Sequence, residues 1–182
     1  FCMDLLENVP NLTSALKVIC ERTCSFFGID DMICVEVNEA GPTIRYQWNR
    51  EEKKDFARRI LNPGVFEWDR IRKNADESGA AIYLQSETPN VYKEEAESVM
   101  IVMSTAAKGL KASVIFANRH TERTWQEEKN ALCRISHQIF NRLRMLKNAE
   151  KDQRELNRKL NYDALTGLPI YNKFVDKLET YM

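Results

Sequence analysis

Glycine is scarce in this sequence, six of 182 residues, and the six never cluster into a loop that could cradle a phosphate. Such loops need close-set glycines so that backbone N–H groups can close on the anion, and a nucleotide site of that kind is therefore not expected. Histidine is scarcer still. His120 and His137 are the only two, and neither has a serine or cysteine partner at motif spacing, so no nucleophile–base arrangement is present. Net charge is missing as well: 27 basic residues balance 27 acidic ones. No overall positive field draws nucleic acid or an anionic membrane, and neither is an expected partner. Long apolar runs are absent; VMIVM at 99–103 falls far short of the ~20 residues needed to span a bilayer. Five cysteines (Cys2, Cys20, Cys24, Cys34 and Cys133) form no CxxC pair. An odd, unpatterned set suits a reducing cytosol, and the expected location is cytoplasmic. The adjacent acids Asp30 and Asp31 lack further ligands nearby, so no metal site is expected. The chain opens at Phe1 without a charged-then-apolar leader, as expected for a piece of a larger protein.

What is present is a core. Hydrophobic residues make up 43% of the chain, enough for one domain with an appendage. The stretch NLTSALKVICERTCSFFG places Leu12, Ala15, Leu16, Ile19, Cys20, Thr23 and Phe27 on one helical stripe, with Asn11 as N-cap and Gly28 as C′ residue. MICVEVN and TIRYQW read as a hairpin; the first places Ile33, Val35 and Val37 on one face, and the second Ile44, Tyr46 and Trp48. Phe56, Ile60 and Leu61 mark a short helix, and from Asn62 to Ser78 the pattern is poor. Strands resume with AAIYLQ, then SVMIVMSTA and LKASVIFAN joined by Lys108-Gly109. Helix, two strands, helical excursion and three strands imply an α+β domain with an antiparallel sheet and helices packed on it.

At Thr124 the character changes. Thr124 and Glu127 fit a capping box, and no Gly or Pro interrupts the helical pattern from Trp125 to Asn161. Those residues would reach ~55 Å at 1.5 Å per residue. Leu132, Ile135, Ile139, Leu146, Ala149, Leu156 and Leu160 recur with a seven-residue rhythm, as in the seam of a parallel coiled coil, and a homodimer through this helix is expected. Cations and acids interleave on its exterior, the mark of a solvated face rather than a nucleic-acid site.

Two resemblances follow from these residues. Asp163, Leu165, Thr166, Gly167, Leu168 and Pro169 resemble the DxLTGLP opening of GGDEF domains, the catalytic domains of diguanylate cyclases; Phe174 matches an aromatic position downstream. Ile170 and Tyr171 stand where that family usually has Asn-Arg. Residues 12 to about 147 are similar in layout to a GAF domain, with Trp125, Glu128 and Leu132 at its final-helix landmarks; a PAS domain is the competing fold. The implied organisation is a GAF-like sensor at 1–124 (its last helix continuing to about 147), a signalling helix at 125–161, and the start of a GGDEF domain at 162–182.

The GGDEF resemblance implies cyclic di-GMP synthesis from GTP with Mg in a complete output domain of a bacterial signalling protein. The residues for that chemistry lie beyond the opening turn, so no catalytic residue, cofactor or enzymatic activity is expected of this fragment. The GAF resemblance implies a cavity beneath the segment 51–78. Tyr46, Trp48, Phe66, Trp68 and Tyr83 could line it and Arg45, Arg58 or Arg70 could hold an anion. The expected role is a sensor for an unidentified small molecule, relayed through the helix pair; a ligand-free dimerisation scaffold is the alternative.

Overall fold

The computed structural model describes residues 11–51, 55–62, 64–86, 92, 94–104, 110–162, 166 and 168. The chain divides into two compact units, Phe1–Arg142 and Leu143–Met182.

Among the described residues the first unit begins with helix α1, Leu12–Phe27. Its caps are local chemistry. Asn11 Oδ1 accepts from the Thr13 N–H at 2.9 Å, satisfying a donor that the first turn leaves open. Gly28 ends the helix at φ 65°, a left-handed conformation that glycine adopts without a Cβ clash. Strands β1 (Asp31–Asn38) and β2 (Gly41–Asn49) follow, then helices α2 (Asp55–Ile60) and α3 (Trp68–Asn74), and strands β3 (Ala80–Leu84), β4 (Ser98–Met103) and β5 (Lys111–Asn118). Helix α4, Lys129–Asn161, follows them. The five strands form one antiparallel sheet in the order β2-β1-β5-β4-β3. The architecture is α+β.

Both faces of the sheet are covered, which is why β4 and β5 read as nearly continuous apolar runs. One face carries Ile33, Val35, Ala81, Val99, Ile101, Met103, Ile115 and Ala117, packed with Phe56, Ile60 and Leu61 of the α2 region and Ile71 of α3. Cross-strand partners project to the same side, so the register puts Met32, Cys34, Met100, Val102, Val114 and Phe116 on the other. There α1 packs, with Cys20 Sγ 4.0 Å from Cys34 Sγ. Cys20, Cys24, Cys34 and Cys133 are free and buried, small apolar residues within the core.

Two sequence expectations change here. The alternation of β2 breaks at a bulge: Cys34 pairs with Tyr46 but Val35 with Ile44, so two β2 steps face one β1 step and Arg45 is the extra residue. Ile44 therefore shares the side of Val35, while Tyr46 and Trp48, partners of Cys34 and Met32, turn toward α1. The second change is the start of α4, at Lys129 rather than Trp125. Trp125 has φ 64° and is fully buried. A left-handed tryptophan is strained; seating its indole in the core, under the Arg123 guanidinium at 5.5 Å, outweighs the local capping signal.

Part of the expected seam is also redirected. Leu132 and Ile139 are 0% exposed within this single chain, so they are core residues and are not available to a partner helix. Ile135 is half-buried. In the second unit α4 continues through residues 143–161. Leu143 is buried and Leu146 half-buried, whereas Ala149, Leu156 and Leu160 are exposed. Glu155 pairs with Lys159 at 3.0 Å and Glu150 with Arg154 at 3.7 Å, both at i,i+4 spacing, the modest surface pairs of a solvated helix. Among the described residues no helix is long and apolar enough to cross a membrane.

Candidate functional site

Helices α2 and α3 lie over the sheet face where a cavity was expected, and much of the space is filled. Phe66 and Tyr83 are buried and Trp68 packs against the same cluster. Tyr92, fully buried, meets Tyr83 edge to face with ring centroids 5.0 Å apart. Sequence reasoning passed over Tyr92 because its surroundings, VYKEE, carry no apolar periodicity. Asn74 Nδ2 donates to the Tyr83 hydroxyl at 3.4 Å. Burial pushes both phenols up while the positive charge of Arg70, on α3, pulls the other way. Trp68 Nε1 is a buried donor without a partner among the described residues. The structure thus brings Phe66, Trp68, Tyr83 and Arg70 together and separates Tyr46 and Trp48 from them. Burial is also the main cause raising the Tyr46 phenol, with Cys20, Glu21 and Cys34 adding to it, which again sets it on the α1 side. Arg45 donates through Nε to Glu36 Oε2 at 2.8 Å.

Arg58 has a different setting. It lines an open pocket of about 540 Å³ between the start of β2 and the end of α2, with Pro42, Thr43, Ile44, Leu61 and Asn62. A second open groove, about 850 Å³, lies between α1 and Ile135 of α4, beside Phe26, which is 83% exposed.

A polar clasp joins the α3–β3 loop to α4. Asp76 Oδ1 accepts from the Ser78 N–H at 2.8 Å, the Ser78 hydroxyl at 2.6 Å and the Ala80 N–H at 3.2 Å. Its other oxygen accepts from Lys129. Ser78 Oγ lies 3.7 Å from Cys133 Sγ, and the Ser78 carbonyl 3.3 Å from His137 Nε2. Lys129, Cys133 and His137 are four apart, so one face of α4 rests on one loop. Burial opposes charge on Asp76, yet the donors from Lys129, Ser78 and Ala80 win and hold its carboxyl at about 2, below the ordinary 3.8. The folded value is depressed, so the stability this group contributes is present above pH 3.8 and is lost as pH falls through 2. Thermal melts should show Asp76→Asn destabilised at neutral pH, and the gap to the unsubstituted protein closing between pH 4 and 2. The gap should be under ~1 kcal/mol, because Asp76 is 39% exposed and water screens it.

Of the residues that resemble a GGDEF opening in sequence, Thr166 and Leu168 are described, the Leu168 N–H donating to Thr166 Oγ1 at 3.4 Å. Asp163, Leu165, Gly167 and Pro169 lie outside the described residues. Among the described residues no group of His, Cys, Asp or Glu side chains is placed to hold a metal ion.

Comparison of the fold with solved structures gives consistent neighbours. The cyanobacteriochrome TePixJ GAF domain matches with a TM-score of 0.59 at 12% identity, over 78% of this chain and 94% of that one. The fold is GAF-like. GAF3 from Slr1393 of Synechocystis sp. PCC6803, in its photoproduct state, also gives 0.59 at 12% identity, over 79% and 99%. The N-acylhomoserine lactone dependent LuxR family transcription factor CepR2 from Burkholderia cenocepacia gives 0.55 at 12% identity, over 78% and 87%. No family profile matches the sequence, and no curated protein does. In this fold α2 and α3 cover one face of the sheet, and residues of the loop 76–79 hydrogen-bond to the first turns of α4.

Proposed function

We propose that this chain is a sensory or regulatory module of a bacterial signalling protein, relaying an effector-dependent or conformational state through a paired helix to a GGDEF-type output domain. One observation carries the reading. Helix α4 runs unbroken for 33 residues, about 50 Å at ~1.5 Å per residue, and its first turns are held by the loop that leaves α3. Leu156 and Leu160 on the later turns are 50% and 59% exposed, an apolar stripe that a second copy of the helix would cover. Dependence of the CepR2 neighbour on an N-acylhomoserine lactone is a precedent for small-molecule control on this fold. The DALTGLP sequence supports a GGDEF domain as the output, in which GTP and Mg would act, and this chain itself is read as non-catalytic and cytoplasmic.

A second reading, a dimerisation scaffold without ligand, is favoured by the aromatic packing of Phe66, Tyr83 and Tyr92, which fills the sheet face. Both readings need the helix pair. Sedimentation velocity should find a dimer, and Leu156→Asp with Leu160→Asp should weaken it at least ~100-fold, since each buried leucine is worth ~1.5–3 kcal/mol. A monomer at all concentrations, or a dimer indifferent to the two substitutions, would overturn the proposal.

A further inference from the structure

We infer that the pocket between β2 and α2 binds a small amphipathic anion, a carboxylate on a short apolar body, through Arg58 and Asn62. The polar groups there are donors. Arg58 has no carboxylate partner among the described residues, whereas its neighbour Arg59 is paired with Glu95 at 2.6 Å. The Asn62 side-chain oxygen already accepts from the Gly64 N–H at 3.1 Å, which fixes the amide and leaves its NH₂ to donate. Thr43 pairs with Glu36 and turns its hydroxyl to the other face, where it accepts from Asn38 at 3.3 Å, so it borders the pocket without adding a donor. A guanidinium and an amide, both donating, ask for an anion.

The remaining wall is apolar. Pro42, Ile44 and Leu61 supply its apolar lining, and Ile44 is 40% exposed. The bulge at Arg45 puts it there by switching Ile44 to the α2 side. About 540 Å³ is within the usual range for small-ligand pockets. A bare phosphate would satisfy the donors and leave the aliphatic wall wet; a neutral alkane would do the reverse. A monocarboxylate with a short chain satisfies both, and its single charge matches the one cation among the described lining residues.

This assignment deepens the sensory reading and rests on it for its biological meaning, but binding can be measured alone. Hexanoate, 1-hexanol and inorganic phosphate should be titrated into the full chain while amide NMR shifts are followed. Hexanoate should saturate shifts centred on Thr43, Ile44, Leu61 and Asn62, with hexanol and phosphate each at least ~10-fold weaker. Arg58→Gln should weaken hexanoate by a similar factor, whereas Arg72→Gln, an exposed arginine on α3, should not. Shifts centred elsewhere, equal affinity for hexanol or phosphate, or an unaffected Arg58→Gln protein would overturn the site. The hexanol and phosphate comparisons need no variant and stand even if Arg58→Gln folds poorly. Saturation by hexanoate with helix pairing unchanged would keep the pocket and remove the relay; pairing without hexanoate binding would do the opposite.

Discussion

Arg119→Gln is expected to lower the unfolding free energy by about 3–5 kcal/mol, the cost of leaving a buried charge without its partner. Arg119 Nε and Nη2 donate to the two oxygens of Asp31 at 2.6 and 2.7 Å, and Nη1 donates to Glu51 at 3.0 Å. Its side chain is 7% exposed and that of Asp31 1%. Burial pushes the Asp31 carboxyl up, and the Arg119 hydrogen bonds work against that. The guanidinium also lies 5.0 Å from the Phe56 ring centroid, so the ion pair ties β1 and β5 to α2. Removing the cation strands Asp31 in the interior. Removing both charges, with Asp31→Leu and Arg119→Met, should recover most of the loss, because a buried pair is worth little against apolar groups of similar volume. Chemical denaturation of the single and double variants checks this. A single substitution costing under ~1 kcal/mol would mean that water reaches the pair.

Ile139→Ala should cost about 2–5 kcal/mol, while Leu160→Ala in dilute protein should stay within about 0.5 kcal/mol. The two positions have the same chemistry on the same helix and share one seven-residue rhythm. They differ in exposure, 0% against 59%. The first loses packed contacts and leaves a cavity; the second loses contacts only where a partner copy covers it. Denaturation midpoints measured at low and high protein concentration separate the two, with Leu160→Ala becoming costly only at high concentration. Equal costs at the two sites would place the boundary between core and seam elsewhere on α4.

That boundary marks where the sequence stops being informative. Over two turns a 3.5-residue and a 3.6-residue period are nearly the same, so Leu132 and Ile139 carry the seam pattern while serving the core. The caps of α1 were legible because Asn11 and Gly28 act within a few residues of themselves. The antiparallel pairing of β1 with β2 and of β4 with β5 was legible from alternation and apolar runs. The bulge at Arg45 was not, since period-two reading assumes an unbroken register. One extra residue therefore moved Tyr46 and Trp48 off the expected site and Ile44 onto the pocket beside Arg58. Trp125 matched a capping pattern that tertiary burial overrode. Helix α3 is seven residues long with Ile71 as its buried residue, too short for a periodic signal. Of the candidate site, the grouping of Phe66, Trp68, Tyr83 and Arg70 was foreseeable in composition, but its dense packing with Tyr92 was not.

The relay through paired helices is tested most directly by disulfide cross-linking of Leu156→Cys, Leu160→Cys and, off the stripe, Arg158→Cys, with and without saturating hexanoate. The account predicts efficient links at 156 and 160, little at 158, and a ratio between the first two that changes at least ~2-fold with ligand, as a coupled equilibrium requires. Equal linking at all three positions, no linking at any, or a pattern indifferent to hexanoate would contradict it.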